Sequence, residues 1–234
     1  NTREGSSILK TCAEIAKKLP NFSNSFNPLN ILNQDISRVG SLELGFVNKI
    51  FDEDLEKKLK EEIAINKPVV FLLGLDEINP RSLEGSFVVY CGHHGDVNAQ
   101  HANIILPTPA YTEKSSTFMN IEGRTIQTSR CYNPLGEAKE EWKIFRVLSD
   151  LLKCDIQFNN LNDVRKKLIN ENKNFLALLE INNSSNLSFS SKEDIKDQSI
   201  SYNIDNFYMN DSISRASETM ANCTHEILNK AKAS

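Results

Sequence analysis

The 234-residue sequence predicts an α/β fold, a parallel sheet flanked by helices, on three observations. Three short apolar runs, VVFLLG, SFVVYCG and NIILP, each end at Gly or Pro, as buried strands do. An amphipathic helical segment, DEDLEKKLKEEIAIN, stands directly before the first run. Helix, strand, connection, strand, connection, strand is the order that produces parallel strands with helices on their faces.

Taken in order, the first element is a helix from Ser6 to Leu19. Ile8, Leu9, Cys12, Ile15 and Leu19 recur at helical spacing, Ser6 or Ser7 supplies an N-cap, and Lys17 and Lys18 suit the negative end, so it reads as a packed surface helix. The turn-rich PNFSNSFNPLN follows, and a second short apolar pattern leads to RVGSLELGF. In DEDLEKKLKEEIAIN the stripe is Phe51, Leu55, Leu59 and Ile63, each four residues from the last. VVFLLG, immediately after Pro68, reads as a strand buried on both faces. Loops that follow parallel strands gather on one edge, so GLDEIN and GHHGD are expected close together. TFMNIEGRTIQTS has two β-prone arms around Glu122, Gly123 and Arg124, a hairpin or bulged turn. EEWKIFRVLSDLLK offers one apolar helical face of Trp142, Phe145, Leu148, Leu151 and Leu152. From about Ile181 to Asn206 the chain is Asn- and Ser-rich without periodicity and reads as a loop. A last helix, starting at Asp211 or Ser212, aligns Ile213, Ala216, Met220, Cys223 and Ile227 into a docking seam. The division expected is residues 1–177 as part of an α/β domain, 178–206 as a loop and 207–234 as a docking helix.

Composition narrows the function. A net charge of −4, with Lys and Arg dispersed among acids, provides no basic stripe for phosphates and argues against a nucleic-acid partner. No apolar run approaches the roughly 20 residues that cross a bilayer, so direct membrane insertion is not expected. Five cysteines, Cys12, Cys91, Cys131, Cys154 and Cys223, stand singly, which fits a reducing compartment and neither a disulfide framework nor a zinc ribbon.

FVVYCGHHGD is the stretch with chemical promise. Strand alternation would send His93 and His94 to opposite faces, making the doublet a poor chelate. Cys91 and His93 share a face, and Asp96 or His101 could come round the loop, but no recognised ligand spacing is met. A His/Asp acid–base pair has the right residue types, yet no GxSxG elbow supplies a nucleophile and Cys91 reads as a buried hydrophobe. GxGxxG and GxxxxGK[ST] are both missing. Asp76, Glu77, Glu113 and Lys114 are polar groups beside these loops, with solvated charge as the commoner outcome. The expectation is no catalytic, cofactor-binding or metal-ligating residue, and a strand-end turn at GHHGD.

Several long motifs occur in one order: NILNQDISRVGSLELGF, FLLGLDEIN, FVVYCGHHGD, NIILPTPAYTEKSSTFMNIEGRTIQT, PLGEAKEEWKIFRVLSDLL and NFYMNDSISRASETMANC. Together they resemble the C-terminal part of the large iron-sulfur subunit family of respiratory complex I, in its mitochondrial and alphaproteobacterial branch. The resemblance implies a molybdopterin-oxidoreductase-like domain that has lost its cofactor and acts as a scaffold, with iron-sulfur clusters in an N-terminal part of the family subunit. It implies as partners that N-terminal part and the other subunits of the peripheral arm. It implies a place on the matrix side of the mitochondrial inner membrane, or on the cytoplasmic face of an alphaproteobacterial one. The alternative is an α/β oxidoreductase domain that retains a molybdopterin or metal site. Two positions depart from the family pattern. Asn98 stands where relatives have Gly, and Asn is the side chain best suited to a left-handed turn there. Asn103 replaces a carboxylate.

Overall fold

A computed structural model describes residues 5–20, 29–33, 36–46, 54–75, 78–176 and 206–229. The chain divides into two units, one of Asn1–Phe51, Ser115–Arg130 and Ser149–Ser201, the other of Asp52–Lys114, Cys131–Leu148 and Tyr202–Ser234.

The second unit holds the parallel sheet: β1 (Val69–Leu73), β2 (Phe87–Gly92) and β3 (Ile104–Pro107), with β2 between its two partners. The three apolar runs thus become three parallel strands, as expected. Helix α3 (Asp54–Asn66) lays Ile63 on the face formed by Leu72, Val88 and Tyr90. Leu83, from the short 3-10 turn Pro80–Leu83, and Ala99, from α4 (Val97–Gln100), complete that cluster. Each large aliphatic residue buried there contributes about 1.5–3 kcal/mol. Of the predicted stripe on α3, Ile63 reaches the core, while Phe51 and the side chains of Leu55 and Leu59 lie outside the described part.

β2 is buried on both faces from Val88 onward. β1 is not, contrary to expectation. Of its residues only Leu72 is buried, while Val69, Phe71 and Leu73, on the opposite face, are exposed. Among the described residues β1 pairs with β2 alone, so its apolar run fills one face of an edge. Helix α5 (Glu141–Leu151) touches that opposite face through Phe145, whose ring lies 5.5 Å from that of Phe71.

The expected single C-terminal helix is broken. α7 (Ser212–Arg215) starts at a capping box between Asp211 and Ser214, and α8 (Glu218–Cys223) starts afresh at Ser217. Ser217 is extended (φ −89°, ψ 121°) and its hydroxyl accepts from the Met220 N–H, so a side chain takes the bond that a continuous helix would make. A π-helical turn, Thr224–Asn229, then shifts the register. The predicted seam is consequently not one buried line: Met220 and Cys223 are half-buried, and Ile213, Ala216 and Ile227 are exposed.

In the first unit, β4 (Thr117–Met119) and β5 (Thr125–Gln127) form the expected antiparallel hairpin. Asn120 closes its turn by accepting from the N–H groups of Glu122 and Arg124, and Gly123 supplies the positive φ of 77°. Met119, Thr125 and Phe175 are buried. Helix α1 (Gly5–Lys18) forms as predicted but turns differently: Ser7 and Ala16 are buried, and Ile8, Cys12, Ile15 and Leu19 are exposed. α2 (Arg38–Glu43) carries Glu43, whose side chain accepts from Asn172 and Asn174. α6 (Leu161–Glu171), which apolar periodicity did not reveal, is announced by Asn160, whose side chain accepts from the Asp163 N–H. Residues 177–205, with most of the expected loop, lie outside the described part.

Candidate functional site

The parallel strands deliver three loops to one edge. Gly74 N–H donates to the Cys91 carbonyl, and Asn98 Nδ2 donates to the Leu75 carbonyl at 3.1 Å, so the chain after β1 meets the chain after β2 as anticipated. Thr108 N–H donates to the Gly92 carbonyl and brings in the loop after β3. Asp76 and Glu77 lie outside the described residues.

Gly92 ends β2 because Tyr90 needs its space. An added Cβ would stand 2.4 Å from the tip of the Tyr90 ring. The ring crosses the glycine and its hydroxyl donates to the His94 carbonyl at 3.1 Å, pinning the turn. Past Gly92 the chain bends, so strand alternation no longer governs the histidines. The expectation that they diverge is corrected: their Nδ1 atoms are 2.6 Å apart and the rings meet edge-to-face at 4.9 Å.

Two ion pairs flank the turn. Asp96 Oδ2 accepts from Arg215 of α7, at 3.0 Å from Nε and 2.5 Å from Nη2, across 119 residues of sequence. Lys114 pairs with Glu141, the first residue of α5, at 2.5 Å, while Glu113 accepts from the Ala110 N–H. Loss of solvation, then the neighbouring His94 ring and the Lys114 ammonium, push the His93 ring below its ordinary pKa, against the pull of Glu113 and Glu141. Cys91 is wholly buried, and burial, then Glu141, push its thiol up, away from the reactive thiolate. His101 turns aside to the Val97 carbonyl. Among the described residues no three of His, Cys, Asp and Glu converge as metal ligands would.

Two sequence departures find structural reasons. Asn103 Oδ1 accepts from the Val88 N–H at 2.8 Å while its own N–H donates to the Val88 carbonyl, so side chain and backbone together join β3 to the start of β2. Asn98 does not take the left-handed conformation expected of it. It sits inside α4, 2% exposed, and its Oδ1 has no partner among the described residues. It lines a cavity of about 430 Å³ whose walls include Leu72, Val88, Arg81 and His101 but neither histidine of the doublet.

What the sequence reading missed is Arg215 and Tyr90 as the groups that hold this edge, and Asn103 as the group that ties the strand starts at the opposite edge. Nothing local signals Arg215 as the partner of Asp96. Tyr90 was readable, being two residues before a glycine on the same strand face.

The family model for molybdopterin oxidoreductase matches residues 1–151, and that for the C-terminal region of the NADH-ubiquinone oxidoreductase G subunit matches residues 179–223. The chain is similar to the mitochondrial NADH-ubiquinone oxidoreductase 78 kDa subunit of Candida albicans, 37% identical over 95% of this chain and 31% of that protein. It is 37% identical to the NADH-quinone oxidoreductase G subunit of Rickettsia bellii over 94% of this chain and 31% of the relative. The NADH-ubiquinone oxidoreductase 75 kDa subunit of Reclinomonas americana is 34% identical over 94% of this chain and 32% of its own length. The chain thus spans about a third of the length of these curated relatives.

Proposed function

The chain belongs to the molybdopterin oxidoreductase family, and from that premise we propose that it is the cofactor-less, structural part of the large iron-sulfur subunit of respiratory complex I. In that role it supports electron transfer from NADH to ubiquinone, coupled to proton translocation, without itself performing a redox step. Similarity to large-subunit relatives along 94–95% of the chain supports the assignment to the complex.

One observation carries the structural role. Open α/β sheets bind ligands at the edge where strands end, and here that edge is filled by the protein's own groups. The Tyr90 ring takes the space over Gly92, Arg215 engages Asp96, and Lys114 engages Glu141. A pterin dinucleotide is an anion with a diphosphate. At this edge it would meet two carboxylates, with the cations Lys114 and Arg215 already committed to them, so these residues do not fit it.

The parts then have separate tasks. Residues 1–177 supply the α/β body, 178–206 connect, and 207–234 dock, with Arg215 on the turn after β2 as the visible point of attachment. The partners are the iron-sulfur-bearing portion of the same polypeptide family and its neighbours in the peripheral arm, on the matrix side of the mitochondrial inner membrane or on the equivalent bacterial face. No helix among the described residues is long and apolar enough to cross a membrane, which agrees with a peripheral position.

The test is to tag the chain, solubilise membranes gently and separate the tagged complex by native electrophoresis with an in-gel stain for NADH oxidation. Migration of the chain with the NADH-oxidising band is the expected result. Migration as a free protein, away from that band, would refute the assignment.

A further inference from the structure

The two imidazoles after β2 are close enough to share a proton. With Nδ1 atoms 2.6 Å apart, one ring must donate and the other accept, since two bare nitrogens repel and two N–H groups collide. One added proton leaves this arrangement intact: it binds the far nitrogen of the donor ring, and the resulting imidazolium still donates to its neutral neighbour. A second proton must go onto the accepting Nδ1. It removes the bond and sets two positive rings against each other at a centroid distance of 4.9 Å.

The pair lies within the turn to which the C-terminal segment is fastened. The carbonyl of His94 accepts from Tyr90, and two residues on, Asp96 holds Arg215. We propose that His93 and His94 form a one-proton contact that makes this fastening pH-sensitive: the turn is closed while at least one ring is neutral and opens when both are charged.

The surrounding charges set the direction. Lys114, from the loop after β3, opposes protonation of His93, while Glu113 of the same loop and Glu141 of α5 favour it. Burial and His94 oppose it as well, and together the opposing influences prevail. Asp96, in the turn itself, is engaged by Arg215, which limits the counter-charge it offers the rings. Because the folded state holds His93 below its ordinary value of 6.5, stability from this contact is complete above that value. It declines as pH falls below it.

Histidine-detected NMR on the full chain, titrated from about pH 8 to about pH 5 across the range where imidazoles change charge, reads the contact directly. The expected result is two steps separated by about one pH unit or more, the lower one below the ordinary histidine range. His94→Gln should merge them into a single step for His93, moved upward, with His93→Gln as the reciprocal variant should the first not fold. Amide exchange over Ile213–Ala216, corrected for its intrinsic pH dependence, should accelerate several-fold below the lower step in the wild type. In the Gln variants the acid response should vanish, which separates it from titration of carboxylates. Independent titration of both rings near the ordinary value, unchanged by either substitution, would overturn the shared proton. Exchange that ignores the lower step, or accelerates equally in the variants, would overturn the switch.

Discussion

Replacing Gly92 with Ala measures how tightly the end of β2 is filled. Gly92 has no positive φ, so the backbone itself accepts alanine. On an open strand end the change would stabilise the protein by about 0.4–1 kcal/mol, through the lost freedom of the unfolded chain. The added methyl, however, would sit 2.4 Å from Cζ and Oη of Tyr90 and 2.5 Å from Cε1. Either the strand end shifts or the ring leaves. Overpacking of this kind costs about 1–3 kcal/mol. Loss of the tyrosine hydroxyl's bond to the His94 carbonyl adds about 1 kcal/mol. Net destabilisation of about 1–3 kcal/mol is therefore expected, with the sign itself diagnostic. Urea denaturation of the wild type, Gly92→Ala, Tyr90→Leu and the double variant tests it, because leucine lacks the three atoms that clash. The alanine penalty should largely disappear in the leucine background, a coupling of about 1 kcal/mol or more. Additive effects, or stabilisation by Gly92→Ala in the tyrosine background, would refute the claim that Tyr90 occupies this space.

The other consequences concern the tail and the thiols. Asp96→Asn leaves Arg215 without its carboxylate. The pair is partly buried, at 11% and 31% side-chain exposure, so the loss lies between the surface and interior cases, at about 1–2 kcal/mol. Limited proteolysis should then cut faster near residues 206–212 while the sheet persists, and an unchanged rate would count against the fastening. Asp211 caps α7, and although burial alone would raise its pKa, hydrogen bonds from Ser214 and Ile213 and the charge of Arg215 hold it below the ordinary 3.8. A depressed carboxylate stabilises fully above the unfolded value and loses that contribution as pH falls through the folded one. Asp211→Ala should therefore cost about 0.5–2 kcal/mol at neutral pH and much less in strong acid, read by urea titrations at the two conditions. With iodoacetamide and peptide mass spectrometry, the exposed Cys12, Cys131 and Cys154 should label first and Cys91 last, and early labelling of Cys91 would contradict its burial.

The elements that could be read from sequence are those whose signal is local. Val88 to Gly92 is a dense β-branched and apolar run, which suits a strand buried on both faces, as β2 is. The hairpin at Asn120 to Arg124 follows from one glycine and one side chain that mimics a turn. Reading failed where a distant or competing bond decided the outcome. Apolar spacing from Ile213 to Ile227 argued for one helix, but a single hydroxyl at Ser217 restarts it. The alternation rule that sends adjacent histidines to opposite faces ends with the strand at Gly92, and His93 and His94 lie beyond it. β1 looked interior because composition does not say which strand lies at an edge. Arg215 reaches Asp96 across 119 residues, and spacing carries no trace of such a contact.

The central claim is that this domain keeps the sheet of its family as a scaffold and has surrendered the cofactor. Molybdenum, tungsten and pterin content of the complex isolated through this chain tests it most directly, by elemental analysis together with fluorescence of the oxidised pterin. The account predicts a complex that oxidises NADH with iron present and with molybdenum, tungsten and pterin far below one per chain. Stoichiometric pterin with either metal, retained after purification and lost on Gly92→Ala or Asp96→Asn, would contradict it.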